Sequence, residues 1–464
     1  MSLSPPPSQG FDLDVPVLII GAGACGMVAA LAANEAGVDA LVVEADQMPS
    51  GSTALSAGLI PAAGTRFQAE AGIEDDAGLF AQDIQAKAKS ENEQALVDLL
   101  AENAAATIEW LSDTYDLPFS VVTDFDYPGH SRRRMHGLPT RAGRELVDRL
   151  RTTCEAEGVD IVCERRANAL FVDDGGTIAG VEVTGPDGVE SIGCRALVLA
   201  CNGFGGNREM VSQHMPQIEN ALWFGHAGNQ GDAVLWGSAL GAEQRHLGAY
   251  QGHGNVATPH GILITWAVIT EGGVQVNLNG DRFWNESQGY SEAARAVMEQ
   301  PDGIAWTIFD SRIAGVARQF QDFKDAEAVG AIRVAENLAG LAKICGLDPD
   351  RLQDTISKIP ENAKDQFGRT FSGTALRPPY CAVKVTGALF HTQGGLGIDS
   401  KTRVRLQTGG TLKNLFAAGG AAVGVSGSGD SGYLSGNGLL SAVVLGRIAG
   451  RSAAQESREE IHNA

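Results

Sequence analysis

Two tyrosines stand among small and polar residues in segments that could do chemistry. FWNESQGYSE, residues 283–292, carries Tyr290 after an Asn-Glu-Ser turn, and SGYLSGNGLL, residues 431–440, carries Tyr433 two residues before Ser435. A phenol can donate a hydrogen bond to an oxygen or pass a proton, but with an unperturbed pKa near ~10 it is a poor base at neutral pH. It therefore needs a neighbouring hydroxyl or a positive environment, and Ser435 is a candidate relay. The amides around Gly436 to Gly438 lie where a last helix should begin, a place suited to holding oxyanion charge. His391, which opens a glycine-rich loop, and His253, in YQGHGN, are further candidates to line a pocket. Taken alone, each ring also reads as a half-buried packing residue, so the positioning elements decide.

The first such element is VPVLIIGAGACGMVAALAANEAGVDALVVEAD, residues 15–46. The apolar run Val15 to Ile20 suits a buried parallel strand, Gly21-x-Gly23-x-x-Gly26 follows at once, and an Ala-rich helix leads to a second strand ending at Glu44. Gly21 permits the tight turn, Gly23 lets backbone approach a pyrophosphate, Gly26 lets helix meet strand, and Glu44 would accept adenosine ribose hydroxyls. The strand, glycines, helix and acid in this order make a dinucleotide-binding unit. A loop of hydroxyls and glycines, GSTALSAGLIPAAG (51–64), follows where backbone must slide under a flat ring. Two more glycine-rich loops close strands at ALVLACNGFGGNREM (196–210) and at NLFAAGGAAVGVSGSGDSGYLSGNGLLSAVVLGRIAG (414–450), with a helix expected to start near Gly438. Three such loops, one towards each end and one between, describe a cofactor domain split by an insertion.

These pieces resemble the flavoprotein superfamily of soluble fumarate reductases and 3-ketosteroid dehydrogenases, from Val17 to about Gly450. The matching segments are IGAGACGMVAA, STALSAG, GHSRRRMHG (129–137), LACNGFGGN, Thr270-Glu271 before GGVQVNLNGDRFWNES, FHTQGGLGID (390–399) and the C-terminal FAAGG, GNGLL and GRIAG. The resemblance implies an α/β fold: a Rossmann-like FAD-binding domain in two parts (14–242 and 371–464) with an inserted α+β cap or substrate domain (243–370). It implies a non-covalent FAD, because the loop near Ser52 lacks the histidine that some relatives attach to the flavin. It also assigns cofactor contacts to Ala24, Cys25, Ala45, Ser52, Thr53, Ser56, Ala57, Gly58, Asn168, Ala200, Cys201, Asn202, Gly203, Gly419, Asn437, Leu439 and Leu440. One departure is Gly420, where the family commonly has a glutamate. By the same resemblance the substrate lies between cap and isoalloxazine, with His391, His253, Gly436 and Gly438 facing it.

In fumarate reductases two arginines hold a dicarboxylate, and one of them delivers the proton. The corresponding positions here are Tyr290 and Tyr433. Replacing guanidinium by phenol removes a fixed charge and a bidentate carboxylate fork, which a doubly anionic substrate needs. NES-x-x-Tyr and GYLSG instead resemble ketosteroid dehydrogenases. A tyrosine pair suits a ketone: desaturation beside a carbonyl requires a base for the α-proton, a donor for the enolate oxygen, and a flavin to take the β-hydride. The expectation is thus a ketone α,β-dehydrogenase acting on a 3-ketosteroid or smaller cyclic ketone, with Tyr290, Tyr433 and Ser435 catalytic. The alternative is an enone or enoate reductase. A binding protein without catalysis would leave NESQGY and GYLSG idle. Glu271 reads as a proton-path residue or a partner of Arg282, and Arg132, Arg133 and Arg134 as a solvated basic turn, with Arg134 a further candidate to bind flavin or to close the cap.

Composition fits that picture. The chain has 464 residues, 59 of them glycine, and a formal charge of −21 with pI near 4.8, which argues against nucleic acid or anionic membrane as partner. A small-molecule ketone and an unknown electron acceptor are the expected partners. The seven cysteines form no CxxC pair and read as reduced, buried thiols. MSLSPPPSQGFDLD has neither a basic nor an apolar signal region, and no apolar run reaches membrane-spanning length, so a cytoplasmic location and a disordered tail over residues 1–13 are expected.

Overall fold

A computed structural model describes residues 2–123, 126–371 and 375–463. The chain divides into two compact units: a larger one of Met1–His214, Gly225–Tyr250 and His391–Ala464, and a smaller one of Met215–Phe224 and Gln251–Phe390.

In the larger unit a mixed sheet runs in the order Ser2–Ser4, Arg166–Val172, Ile178–Gly185, Gly188–Leu199, Leu13–Ile20, Ala40–Val43 and Asp160–Val162, with Thr411–Ala417 also paired to Gly188–Leu199. Gly188–Leu199, Leu13–Ile20, Ala40–Val43, Asp160–Val162 and Thr411–Ala417 are joined by parallel pairings. Their carboxyl ends finish level, because Ile20 pairs with both Leu199 and Val43, and Leu199 pairs with Ala417. Amides just beyond these ends step from strand to strand: Ala200 N–H donates to Ile20 O (2.9 Å), Gly21 N–H to Val43 O (2.8 Å) and Ala418 N–H to Leu199 O (3.1 Å). The glycine-rich segments after Ile20, Leu199 and Ala417 therefore leave one edge of the sheet, the edge at which open α/β sheets bind ligands.

The helix Ala24–Glu35 is buried from Ala24 to Ala33 and packs on the last helix, Asn437–Asn463. The crossing is close because it is built from small residues. A Cβ on Gly446 would lie 2.6 Å from Cys25 O, and one on Gly450 would lie 2.0 Å from Ala29 O.

The smaller unit is a second sheet in the order Ile262–Leu263, Tyr250–Ala257, Tyr380–Thr392, Ile304–Asp310 and Val274–Val276. Its core includes Trp266, Ile269, Trp284, Val297, Phe309, Phe323 and Val383.

The units differ from the expected division at 243–370. Tyr380–Thr392 pairs with Ile304–Asp310, and Leu222–Trp223 pairs with Ala388 and Leu389, which draws both segments into the smaller unit. Gln244–Arg245 instead pairs with Leu396 and Gly395 and keeps residues 225–250 in the larger one. The described part of the expected disordered tail is ordered. Ser2–Ser4 runs parallel to Ala169–Phe171, the Phe11 ring meets that of Phe171 at 5.6 Å, and the Asp12 carboxylate accepts the amide and hydroxyl of Ser191. An exposed strand edge is a template for such an addition; Met1 lies outside the described residues.

Candidate active site

In the larger unit the glycines do what their spacing suggests. Gly21 has φ +104°, and a Cβ on Gly26 would fall 1.8 Å from Gly21 O, so helix and strand meet only through glycine. Around Gly23 only the Thr53 hydroxyl comes near, at 3.5 Å. The buried Glu44 accepts Ala22 N–H (2.7 Å) and Asp46 N–H (3.0 Å), fixing its carboxylate against the glycine loop. Thr53 Oγ1 accepts Ala24 N–H (3.1 Å), so this amide at the helix start serves the loop. Ser56 bridges Thr53 O and Gly58 N–H, and Gly143 N–H donates to Ser56 O, which backs the loop with a helix N-terminus. Ala45 and Ala57 are exposed.

Asn202, with φ +64°, follows Cys201 at the end of its strand. Its amide donates to Ser52 Oγ (3.0 Å), which also accepts Asn229 Nδ2–H (2.8 Å), and its Oδ1 accepts Gly203 N–H. A Cβ at Gly420 would lie 2.0 Å from Asn202 Oδ1, so the missing family glutamate leaves a position that the Asn202 side chain occupies. Gly419, with φ +58°, sits against Cys25. Asn168 stands half-buried on the strand Arg166–Val172 and donates to Thr184 Oγ1 (2.6 Å).

Asn437 opens the last helix fully buried, and neither its Oδ1 nor its Nδ2 has a partner. Such a group is costly unless a ligand satisfies it. With the glycine edge and the fixed Glu44, this orphaned amide is compatible with an FAD, for which Glu44 would serve the ribose, Gly21 to Gly26 the pyrophosphate, and the amide donor and acceptor of Asn437 polar edges of the cofactor. Leu439 and Leu440 follow on the same helix.

Tyr433 is buried just before this helix. Burial pushes its phenol up to about 12, while the backbone amides of Gly438 and Gly436, both hydrogen-bonded to it, pull the other way. The amides expected to face an oxyanion are thus directed at the tyrosine oxygen. The Ser435 carbonyl accepts from His130 Nε2 at 2.9 Å. His391 meets the Tyr433 ring edge-on at 6.0 Å and donates from Nδ1 to Thr392 O (2.7 Å). The Gln393 amide nitrogen lies 2.8 Å from His391 Nε2 and 3.2 Å from Nδ1, across the ring rather than in line with one lone pair, and Gln393 Oε1 accepts from Ser426 Oγ. Desolvation holds His391 and His130 at about 4, both neutral at pH 7.

The arginine turn divides. Arg132 and Arg133 are exposed, but Arg134 is fully buried and held by Asp75 (2.8 Å) and Asp83 (2.5 Å), with Phe80 under its guanidinium. Spacing alone did not reveal these partners, because the acids stand more than fifty residues earlier.

In the smaller unit Tyr290 begins the helix Tyr290–Met298. Its ring is stacked on His253, which stacks in turn on Phe390, and Phe390 stacks on Phe224. Trp266 meets both His253 and Tyr290 edge-on. The turn before Tyr290 is anchored by Glu286, which pairs with Arg282 (2.5 Å) and Arg369 (3.1 Å), while Arg282 also holds Asp365. Glu271 pairs with Arg312, not with Arg282. Phe390, Phe224, His130, Gln393 and Asn229 were not singled out from the sequence. Phe390 and Gln393 stand in FHTQGG and His130 in GHSRRRMHG, so the segments, but not these side chains, were in view.

Such a site, with a dinucleotide edge beside a helix-start phenol, defines a flavin-dependent oxidoreductase. The chain belongs to the FAD-binding family whose model, described as "FAD binding domain", matches residues 16–439. It is 31% identical over 454 residues to a probable fumarate reductase of Shewanella frigidimarina, covering 96% of this chain and 75% of that protein. It is 24% identical over 538 residues to a 4-oxocyclohexanecarboxylate 2-dehydrogenase of Sinomonas cyclohexanicum, covering 95% and 93%. The open conformation of a flavocytochrome c3 fumarate reductase superposes with TM-score 0.83 at 30% identity, covering 97% of this chain and 80% of that one. A 3-ketosteroid-Δ4-(5α)-dehydrogenase of Rhodococcus jostii has the same fold, with TM-score 0.77 at 23% identity and 97% and 99% covered. This protein is an FAD-dependent oxidoreductase of the fumarate reductase type, acting on carbon–carbon bonds. Among the described residues no helix is long and apolar enough to cross a membrane.

Proposed function

We propose that this protein desaturates the bond α,β to the carbonyl of a cyclic ketone, a 3-ketosteroid or a smaller ring, and passes the electrons to a carrier in the cytoplasm. The observation that supports this reading is the charge state of the buried arginines. Arg134 is neutralised by Asp75 and Asp83, and Arg282 and Arg369 by Glu286 and Asp365. A guanidinium already forked by carboxylates has little to offer a dicarboxylate. At the two motif positions where the resemblance places substrate arginines stand phenols, and the cyclic ketone in the name of the Sinomonas relative accords with that exchange.

Bound FAD supplies the acceptor for the β-hydride. Tyr433 holds the carbonyl oxygen: its own oxygen accepts amide hydrogen bonds from Gly436 and Gly438, which polarises the O–H and makes it a stronger donor as enolate charge develops. Tyr290 takes the α-proton in its phenolate form and is left as the neutral phenol while the enolate forms. Ser435 adjoins Tyr433 as its relay, with its backbone fixed by His130.

The second reading, an enone or enoate reductase fed by a reduced carrier, is favoured by the 31% identity to a fumarate reductase. Anaerobic titration of the holoenzyme with a panel of steroid and monocyclic saturated ketones separates the two. Bleaching of the flavin without added reductant supports desaturation. A flavin that no ketone bleaches, but that fumarate reoxidises after reduction, overturns it.

A further inference from the structure

The resemblance leads one to expect His253 to face the substrate, yet its surroundings point to another task. It is 5% exposed, and its ring is enclosed by other rings: Tyr290 with centroids 5.1 Å apart and planes at 17°, Phe390 at 5.4 Å and 24°, and Trp266 edge-on at 5.6 Å and 89°. Its Nδ1 accepts the amide N–H of Asn255 at 3.2 Å, which leaves the ring proton on Nε2. Asn255 is in turn fixed by Ile264 O and by the Thr307 hydroxyl, so the imidazole is tied to the sheet through a rigid residue.

We propose that His253 is a positioning residue that works as a flat ring: it stacks on Tyr290 and fixes where the phenol points, rather than binding substrate through a nitrogen. The contact is near-parallel, the geometry in which aromatic pairs gain beyond their buried area, and it transfers the rigidity of Asn255 to the first residue of a helix. Tyr290 follows Gly289, at φ +135°, at the head of its helix.

Two variants separate a ring from a ligand. His253→Phe keeps the flat face and loses both nitrogens, whereas His253→Leu fills much of the volume and loses the face. Fluorine NMR of protein labelled with 3-fluorotyrosine reads the stacking directly, with the Tyr290 signal assigned by its loss in Tyr290→Phe. The ring-current shift of that signal should survive in His253→Phe and collapse in His253→Leu, with FAD content unchanged in both. The rate arm rests on the proton-transfer role proposed for Tyr290. In rapid-mixing flavin reduction with any ketone that bleaches the holoenzyme, His253→Phe should stay within about threefold of the parent, and His253→Leu should fall by about 10²-fold, the scale of a misplaced catalytic group. Equal rate losses in the two variants would show that a nitrogen matters and overturn the proposal, as would a Tyr290 signal unmoved in His253→Leu. A signal that moves while both rates hold would uphold the positioning and sink the role of Tyr290.

Discussion

The backbone amide of Gly438 hydrogen-bonds the phenol oxygen of Tyr433, one residue into the last helix. This puts the tyrosine oxygen where the orphan amides and the positive end of a 27-residue helix add up. A buried phenol placed there is held as a hydrogen-bond donor of defined direction, since its oxygen already accepts from the backbone.

Tyr433→Phe therefore tests function with little change in packing, because the ring that His391 meets edge-on is kept. The expected result is a loss on the order of 10²–10⁴-fold in the rate of flavin reduction, with weaker ketone binding and FAD still stoichiometric. Tyr290→Phe should lose rate by a similar factor with ketone binding little changed. Solvent exchange of the substrate α-proton assigns the roles. Exchange that survives in Tyr290→Phe and vanishes in Tyr433→Phe would reverse the assignment, and parent rates in both would reduce the tyrosines to packing.

The glycine motif predicts two different failures. A Cβ on Gly26 strikes the Gly21 carbonyl at 1.8 Å, so Gly26→Ala should destabilise the unit whether or not FAD is present. Gly23 has only the Thr53 hydroxyl near, at 3.5 Å, so Gly23→Val should fold and fail to retain FAD. Glu44→Ala should also release FAD, through lost ribose hydrogen bonds, and should loosen the loop because Ala22 N–H loses its acceptor. Melting curves of the apoproteins separate the cases. A Gly23→Val variant that keeps stoichiometric flavin would move the pyrophosphate elsewhere.

How much of this was legible in the sequence follows from how local each signal is. The strand, the turn glycines and Glu44 lie within about thirty residues and carry their own geometry, so the dinucleotide edge could be read directly. The helix start was placed near Gly438 and falls at Asn437, since a glycine-rich loop running into an apolar helix marks its own boundary. Arg134 stood in a turn read as solvated, with flavin binding as its further candidate role, and neither reading named Asp75 and Asp83, which come to it only through tertiary packing. The absent glutamate at Gly420 read as a lost contact, and only the structure puts Asn202 Oδ1 in its place. The unit boundaries slipped for a similar reason: strand partners such as Leu222 and Ala388 are 166 residues apart, and composition does not report pairing.

Substrate charge is tested without any variant. With the buried arginines of both units already carboxylate-paired, fumarate and succinate at millimolar concentration should leave the flavin spectrum unchanged and should not compete with a ketone. A fumarate reduction rate comparable with that on any enone would refute the reading drawn from Tyr290 and Tyr433.

The last prediction concerns acid. Desolvation lowers His253 to about 3, and His130, His136 and His391 to about 4, from 6.5. In the unfolded chain these side chains take up protons near pH 6.5, so between about 6.5 and 4 the unfolded state binds more protons than the native one. Stability must then fall as pH drops through that window, by up to about 1.4 kcal/mol per pH unit for each histidine. Carboxylates held low by partners, such as Asp83 and Asp365, have a different window: their contribution is present above their ordinary range near 3.8 and is lost only below it. The denaturation midpoint should thus decline from pH 6.5 to 4.5, before those carboxylates titrate. His253→Phe should flatten the slope for the smaller unit, and His391→Gln that for the larger. A midpoint that stays level from pH 7 to 4.5 in the parent would mean that these histidines are not held neutral in the fold.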